Sequence, residues 1–419
     1  MTTSIKNKRT TRAFFFFAIE SRPLICYCKS MKTNKRKSLI TAIIVLACLL
    51  TVGGALGIWT GALVDDVYFA NREDNLRYQE EHLSYLKNVY YADYTPKGEQ
   101  RFCNFNLQEA LDNGVKYNEV AFLATHNSYQ RLITEQSKRL QLPLNMLSFG
   151  VTHLTMFKKN DYENDTLTGQ FEHGIRSIEL DVEARVEDGK VSFVVMHEPV
   201  LDSASTCLDF EGALEEIALW SDHNPNHLPI TILLEAKTVV PHIDGLEAFD
   251  VDHANTFDAL LRKKLGDKLM TPAHMLGNYP TFKDMREADG WKPLKDMLGK
   301  VVVVLHESKL AKAYIKQDET LRTQAMFPSV LYKDRAIAQA GFVLENDPKK
   351  AVERIEFYRE QNYMVRTRAD SYPNFSDEGY TLAGQCVSNI ISTDYCPRSV
   401  RTDQHTYSFD GYTVKLVNS

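Results

Sequence analysis

The chain has 419 residues, 44% hydrophobic and 25% charged, which excludes a disordered or low-complexity protein and leaves room for one large globular domain or two ordinary ones. Charge is divided unevenly: residues 1–37 carry ten Lys or Arg against one acid, and the residues after 64 carry 39 basic against 54 acidic side chains. A body that acidic excludes nucleic acid as a partner and suits a bound cation.

In chain order, the basic tail 1–37 leads into SLITAIIVLACLLTVGGALGIWTGALV, residues 38–64, which contains no charge. At ~1.5 Å per helical residue this stretch can cross a ~30 Å hydrocarbon core. Lys32, Lys35, Arg36 and Lys37 crowd its N-terminal side and Asp65 and Asp66 close the other, so the positive-inside rule keeps the tail cytoplasmic and exports the body. An uncleaved transmembrane anchor is the reading carried forward. A cleaved signal segment starting at Met31, with MKTNKRK as its basic region, stands beside it and would make the body secreted. Cys26, Cys28 and Cys48 fall in the tail and span. Cys103, Cys207, Cys386 and Cys396 remain for an oxidising compartment, with Cys386–Cys396 as the expected bridge and four buried thiols as the alternative.

Residues 65–118 are charged and helix-like, and are expected as a helical connector to a catalytic barrel over 119–419. There, eight short apolar runs recur: EVAFLATH, GIRSIELDVEA, KVSFVVMHEP, LPITILLEAK, GKVVVVLHE, AGFVLEND, YMVRTRAD and SNIISTDY. Helical stretches such as FEGALEEIALWSDH, HANTFDALLRKKL and DPKKAVERIEFYREQ lie between many of them. Buried runs alternating with helices imply a parallel sheet, and eight units over this length predict a closed α/β (β/α)8 barrel of the TIM type.

What ends each run matters most. His126 and Asn127, Glu179 and Asp181, His197, Glu235 and Lys237, His306, Arg366 and Arg368, and Asp394 all lie at or near a predicted strand end, and in such a barrel those ends share one rim. Glu179 and Asp181 are two apart on a strand and face the same way. Three acids with the Asn127 amide form a hard-oxygen set that selects calcium or magnesium. The plainer alternative has Glu179 and Asp181 facing solvent or paired with Arg176 and Arg185. His126 and His197 can move protons near neutral pH, and two imidazoles beside a divalent cation suit attack on a phosphodiester.

T-H-N-S-Y at 125–129, S-I-E-L-D at 177–181, M-H-E-P at 196–199 and I-L-L-E-A-K at 232–237 resemble, in order and spacing, the catalytic motifs of phosphoinositide-specific phospholipase C. The similarity is closest to the calcium-dependent bacterial-type branch, through V-R-T-R-A-D at 365–370 and I-S-T-D-Y at 391–395. The resemblance implies that His126 and His197 are the catalytic pair, that Asn127, Glu179, Asp181 and Glu235 hold Ca2+, and that the substrate is a membrane lipid of the phosphatidylinositol class. It further implies attack by the inositol 2-hydroxyl, releasing diacylglycerol and a cyclic inositol phosphate. Lys237, Arg366, Arg368 and Tyr395 are the candidates for holding substrate, and His306 is read as supporting. No feature points to a protein partner. A glycerophosphodiester phosphodiesterase remains as an alternative, although its motifs carry His-Arg and His-Asp where this chain has His126-Asn127 and His197-Glu198. A non-catalytic barrel that binds lipid or sugar is the third reading. Zinc at His223 and His227 is disfavoured because Pro225 interrupts the helix between them.

Overall fold

The structure is a computed structural model that describes residues 63–139, 162–199, 201–240, 243–306, 308–370, 378, 381–382, 388–397 and 406–417. The strands are β1 Val120–Thr125, β2 Ser177–Glu187, β3 Lys190–Val195, β4 Ile230–Ala236, β5 Leu246–Glu247, β6 Leu269–Met270, β7 Val301–Leu305, β8 Phe327–Val330, β9 Phe342–Glu345, β10 Met364–Arg368, β11 Ile390–Thr393 and β12 Val414–Leu416. β1, β2, β4, β7, β8, β9, β10 and β11 pair in parallel in that circular order, and the β1–β2 pairing closes the ring. The closed eight-stranded parallel α/β barrel expected from the sequence is therefore present. Its staves are covered on both faces, which is why VAFLAT and VVVVL are fully buried apolar runs.

One stave differs from the reading above. KVSFVVMHEP forms β3, which is antiparallel to β2 and no part of the ring. Asp188 and Gly189, at φ of 50° and 72°, make the tight hairpin that returns the chain, and the link is far too short for the crossover a parallel neighbour needs. The missing stave is β8, whose FPSV is brief and contains Pro328, so it lacks a strand signature. The ring is also uneven at its base. β1 meets β2 through Ala124 and Ser177, while β12 pairs antiparallel with Val120–Phe122 and fills the opening there.

The surrounding helices include α1 at 63–85, α2 Phe210–His223, α3 Val251–Leu265, α4 Ser308–Gln317 and α5 Pro348–Glu360. α2 turns Phe210, Ala213, Leu214, Ile217 and Trp220 onto the barrel at helical spacing. Cys103, Cys207 and Cys396 are free buried thiols. The expected Cys386–Cys396 bridge is thus corrected at Cys396, whose sulfur lies 3.7 Å from the Ala124 carbonyl oxygen; Cys386 lies outside the described residues. So does the apolar segment 38–64 apart from its last two residues, and no described helix is long and apolar enough to cross a membrane.

Within 65–118, α1 packs onto the barrel through a ladder of amides spaced four apart. Asn71 donates to the Ser137 and Ser203 hydroxyls, each at 2.9 Å. Asn75 donates to the Ser203 carbonyl at 2.7 Å and accepts from the Ser205 amide at 3.2 Å and from Arg131 at 3.1 Å. Gln79 exchanges two bonds with the backbone of Asp209, at 2.8 and 2.7 Å. All three amides are essentially buried, so each is held by hydrogen bonds that water cannot replace. Asn75→Ala strands several partners and is expected to cost about 2 kcal/mol or more of unfolding free energy, measured by denaturant titration. A change below about 0.5 kcal/mol, the usual size at an ordinary surface position, contradicts the ladder.

Candidate active site

β1 ends at Thr125, and the next residues turn sharply because Asn127 takes a left-handed conformation at φ 42°, which asparagine tolerates better than most residues. The turn is pinned to β2: the Ser128 amide donates to the Glu179 carbonyl at 2.9 Å and the Glu179 amide donates to the Ser128 hydroxyl at 2.8 Å. His126 therefore sits level with Glu179 on one side and Asp394 on the other.

The His126 Nδ1 lies 2.7 Å from Asp394 Oδ1, and Arg368 Nη1 donates to its Nε2 at 2.9 Å. An Arg donor at Nε2 assigns the ring proton to Nδ1, directed at the aspartate. Burial lowers the proton affinity of this imidazole, but the Asp394 and Glu179 charges outweigh burial and raise its pKa. Asp394 is itself fixed by Asp370, which accepts from its backbone amide at 2.9 Å and from the Thr393 hydroxyl at 2.6 Å.

His197 reaches the same rim by a different route. β2 overhangs the barrel, so β3 runs back down it until the Met196 amide bonds the Asp181 carbonyl at 3.2 Å, leaving His197 at the rim. Its Nδ1 is 3.0 Å from Asp202 Oδ2, close enough for an ion pair though out of hydrogen-bond alignment. Burial lowers the pKa and the Asp202 and Asp181 carboxylates raise it beyond that loss. Gln130 donates to the other Asp202 oxygen at 2.8 Å, and the turn 203–205 next to it is the one that Asn71 and Asn75 of α1 hold.

Glu179, Asp181 and Glu235 converge between the histidines, with carboxylate oxygens within 4.8 Å of one another. Asp181 and Glu235 are register partners on β2 and β4. Lys237 bridges them at 2.6 and 2.8 Å, and Arg366 crosses the barrel to pair with Glu179 and Asn346. Burial and the neighbouring Glu235 charge raise the pKa of Asp181. Glu235 is held down, its burial outweighed by Lys237 and His306. Asp181 Oδ1 is buried without a hydrogen-bond partner. An oxygen-only donor set with an orphaned lone pair fits a hard divalent cation. Arg176 and Arg185 are engaged elsewhere, with Glu99 and with Tyr68 and Glu187, so the plainer reading of Glu179 and Asp181 does not hold.

Of the other candidates, Asn127 is buried in the same turn, with the Tyr162 hydroxyl near its side chain and that of Asp394. His306 Nδ1 is 4.0 Å from Glu235 Oε2. Tyr395 is packed down at 6% exposure. Sequence reading gave no role to Asp394, Asp202 or Tyr162. Asp394 carried a signal in its strand-end position. Asp202 lies in a turn five residues beyond His197, where sequence spacing reveals nothing.

Two aspartate-oriented imidazoles flanking a carboxylate triad at the mouth of a parallel barrel are the equipment of a phosphodiester-cleaving enzyme. Residues 187–419 match the sequence model of the family described as phosphoinositide phospholipase C, Ca2+-dependent. That is more than half of the chain, and the chain belongs to this family. The match includes His197, Glu235, Lys237, Arg366, Arg368 and Tyr395, whereas His126, Asn127, Glu179 and Asp181 precede it. Among solved structures, a calcium-dependent phosphoinositol-specific phospholipase C from Pseudomonas sp. is similar at TM-score 0.52 and 17% identity, covering 76% of this chain and all of that one. A structure of it described as a myoinositol complex gives 0.52 and 16% over the same shares. A Ca2+-dependent phosphatidylinositol-specific phospholipase C from Streptomyces antibioticus gives 0.46 and 19%, over 67% of this chain and 94% of that one. At these identities the Pseudomonas structures establish the common fold. No curated protein sequence matches.

The folded pKa of His126 lies above the ordinary 6.5. Its pairing therefore contributes fully to stability below about pH 6.5 and loses that contribution as pH rises through the folded pKa. Asp394→Asn is expected to lower the His126 titration midpoint, followed by imidazole 15N NMR, and to flatten that part of the stability profile. An unchanged midpoint contradicts the dyad.

Proposed function

We propose that the enzyme cleaves phosphatidylinositol-class lipids in a calcium-dependent reaction in which the inositol 2-hydroxyl attacks phosphorus, giving diacylglycerol and a cyclic inositol phosphate. The observation that carries this is the joint placement of two Nδ1-anchored histidines and an acid triad at one barrel mouth. Glu179, Asp181 and Glu235, with Asn127, would hold Ca2+, which when bound polarises a phosphoryl oxygen and acidifies a nearby hydroxyl. An internal nucleophile removes the entropy cost of recruiting a second reactant.

The two histidines divide the work. His197, more open at 37% side-chain exposure and with its pKa raised by Asp202, donates a proton to the departing glycerol oxygen. His126 is more enclosed at 17%, and Arg368 occupies its Nε2. When Arg368 turns to a phosphate oxygen, the freed His126 Nε2 takes the proton of the attacking 2-hydroxyl, and the imidazolium, held by Asp394 at Nδ1, adds a second positive donor to the charge developing on phosphorus. Arg366 pairs with Glu179 beneath. Because segment 38–64 is long and apolar enough to span a bilayer, we read the enzyme as membrane-anchored with an exported body. Tethering keeps the barrel at high effective concentration over lipid.

With phosphatidylinositol vesicles, 31P NMR is expected to detect a cyclic phosphodiester with calcium and none with a chelator. His197→Ala should lower kcat by about 10²–10⁴-fold, with much of the loss recovered on a substrate whose leaving group needs no proton. His126→Ala should fall similarly without that recovery. Glycerophosphodiester cleavage in place of lipid cleavage contradicts the proposal.

A further inference from the structure

Lys237 has a second carboxylate beside it that the site does not use. Val182 on β2 pairs with Ala236 on β4, and the Lys237 amide continues the ladder by donating to the Val182 carbonyl at 2.9 Å. Glu183 and Lys237 are therefore the next lateral neighbours, with side chains on the face that carries Asp181 and Glu235. Glu183 is only 2% exposed, and its Oε2 has no hydrogen-bond partner. Its strongest charge neighbour is Lys237, ahead of Glu198 and Asp181. A buried carboxylate oxygen lacking a donor is costly, yet the nearest ammonium is turned away from it toward Asp181 and Glu235.

We propose that Lys237 is a two-position counterion: it neutralises Asp181 and Glu235 in the metal-free enzyme and moves to Glu183 when a divalent cation enters the triad. The inference rests on the triad being the cation site. An ammonium at 2.6 and 2.8 Å from two of the three acids occupies their oxygens and would repel an incoming cation, so it must leave. The lysine stem is long and flexible, and the adjacent Glu183 offers a buried acceptor with no hydrogen-bond partner. The exchange keeps the lysine paired in both states, with Asp181 and Glu235 before the cation enters and with Glu183 after it. It also raises the cation concentration at which the site fills, because binding must first break two ion pairs. Glu183 in this scheme never touches the cation or the substrate; it sets the affinity by receiving the lysine.

The test is calcium titration of the purified full-length chain by calorimetry, with thermal unfolding recorded with and without calcium. Lys237→Met is expected to bind calcium at least ten-fold more tightly, to lower the metal-free Tm and to enlarge the stabilisation by calcium. Glu183→Gln is expected to weaken calcium binding several-fold with lysine present and to have no effect in the Lys237→Met background. Equal or weaker binding by Lys237→Met overturns the inference alone. Equal weakening by Glu183→Gln in both backgrounds also overturns it, by making Glu183 a ligand. A parent chain that binds no calcium overturns the cation site along with it.

Discussion

Three carboxylates forced into one small volume, two of them buried, set the terms for the rest of this structure. Glu179, Asp181 and Glu235 arrive there because β2 and β4 are adjacent parallel staves in register, and their mutual repulsion in a low-dielectric barrel mouth must be offset. Lys237 does this from just beyond the end of β4, and Arg366 does it from across the ring on β10. Closure of the barrel is what allows the second of these pairs: in an open sheet β10 would lie far from β2. The histidines then border a centre whose negative charge is partly offset, and Glu179 and Asp181 of that centre add to the effect of the histidines' own aspartates.

The imidazoles illustrate how one chemical need is met by two local structures. His126 is oriented by neighbouring staves, since its aspartate is the adjacent strand end of β11 and is itself locked by Asp370. His197 depends on a hairpin that overhangs the ring and on a turn outside the barrel. That turn is fastened by Asn71 and Asn75 of α1. The residues 65–118 therefore contribute to the site's architecture through packing, although none of them reaches the reacting groups.

Much of this was legible in the sequence, for physical reasons that also explain the exceptions. Parallel barrel staves must be apolar on both faces, so seven of them read as continuous runs, and their polar termini marked the rim. KVSFVVMHEP reads the same way because its apolar residues Phe193–Val195 are buried, and only its Asp188-Gly189 turn betrays a hairpin. FPSV was invisible because a short edge-like run with proline carries no periodicity. The acid triad could be grouped from spacing alone, since alternation on β2 and shared rim position suffice. Individual pairings could not: Asp202 with His197, Asn75 with Ser203, and Arg366 with Glu179 are set by three-dimensional closure. The disulfide expectation failed at Cys396 because cysteine count reports only what bridges are allowed, and this thiol is buried against a β1 carbonyl.

The most direct measurement is anomalous diffraction from crystals of the enzyme soaked in calcium, which locates the ion without reference to turnover. The account predicts one strong peak enclosed by oxygens of Glu179, Asp181 and Glu235, with Asn127 completing the set, between the two histidines. A peak outside the barrel mouth, or none at saturating calcium, would contradict it.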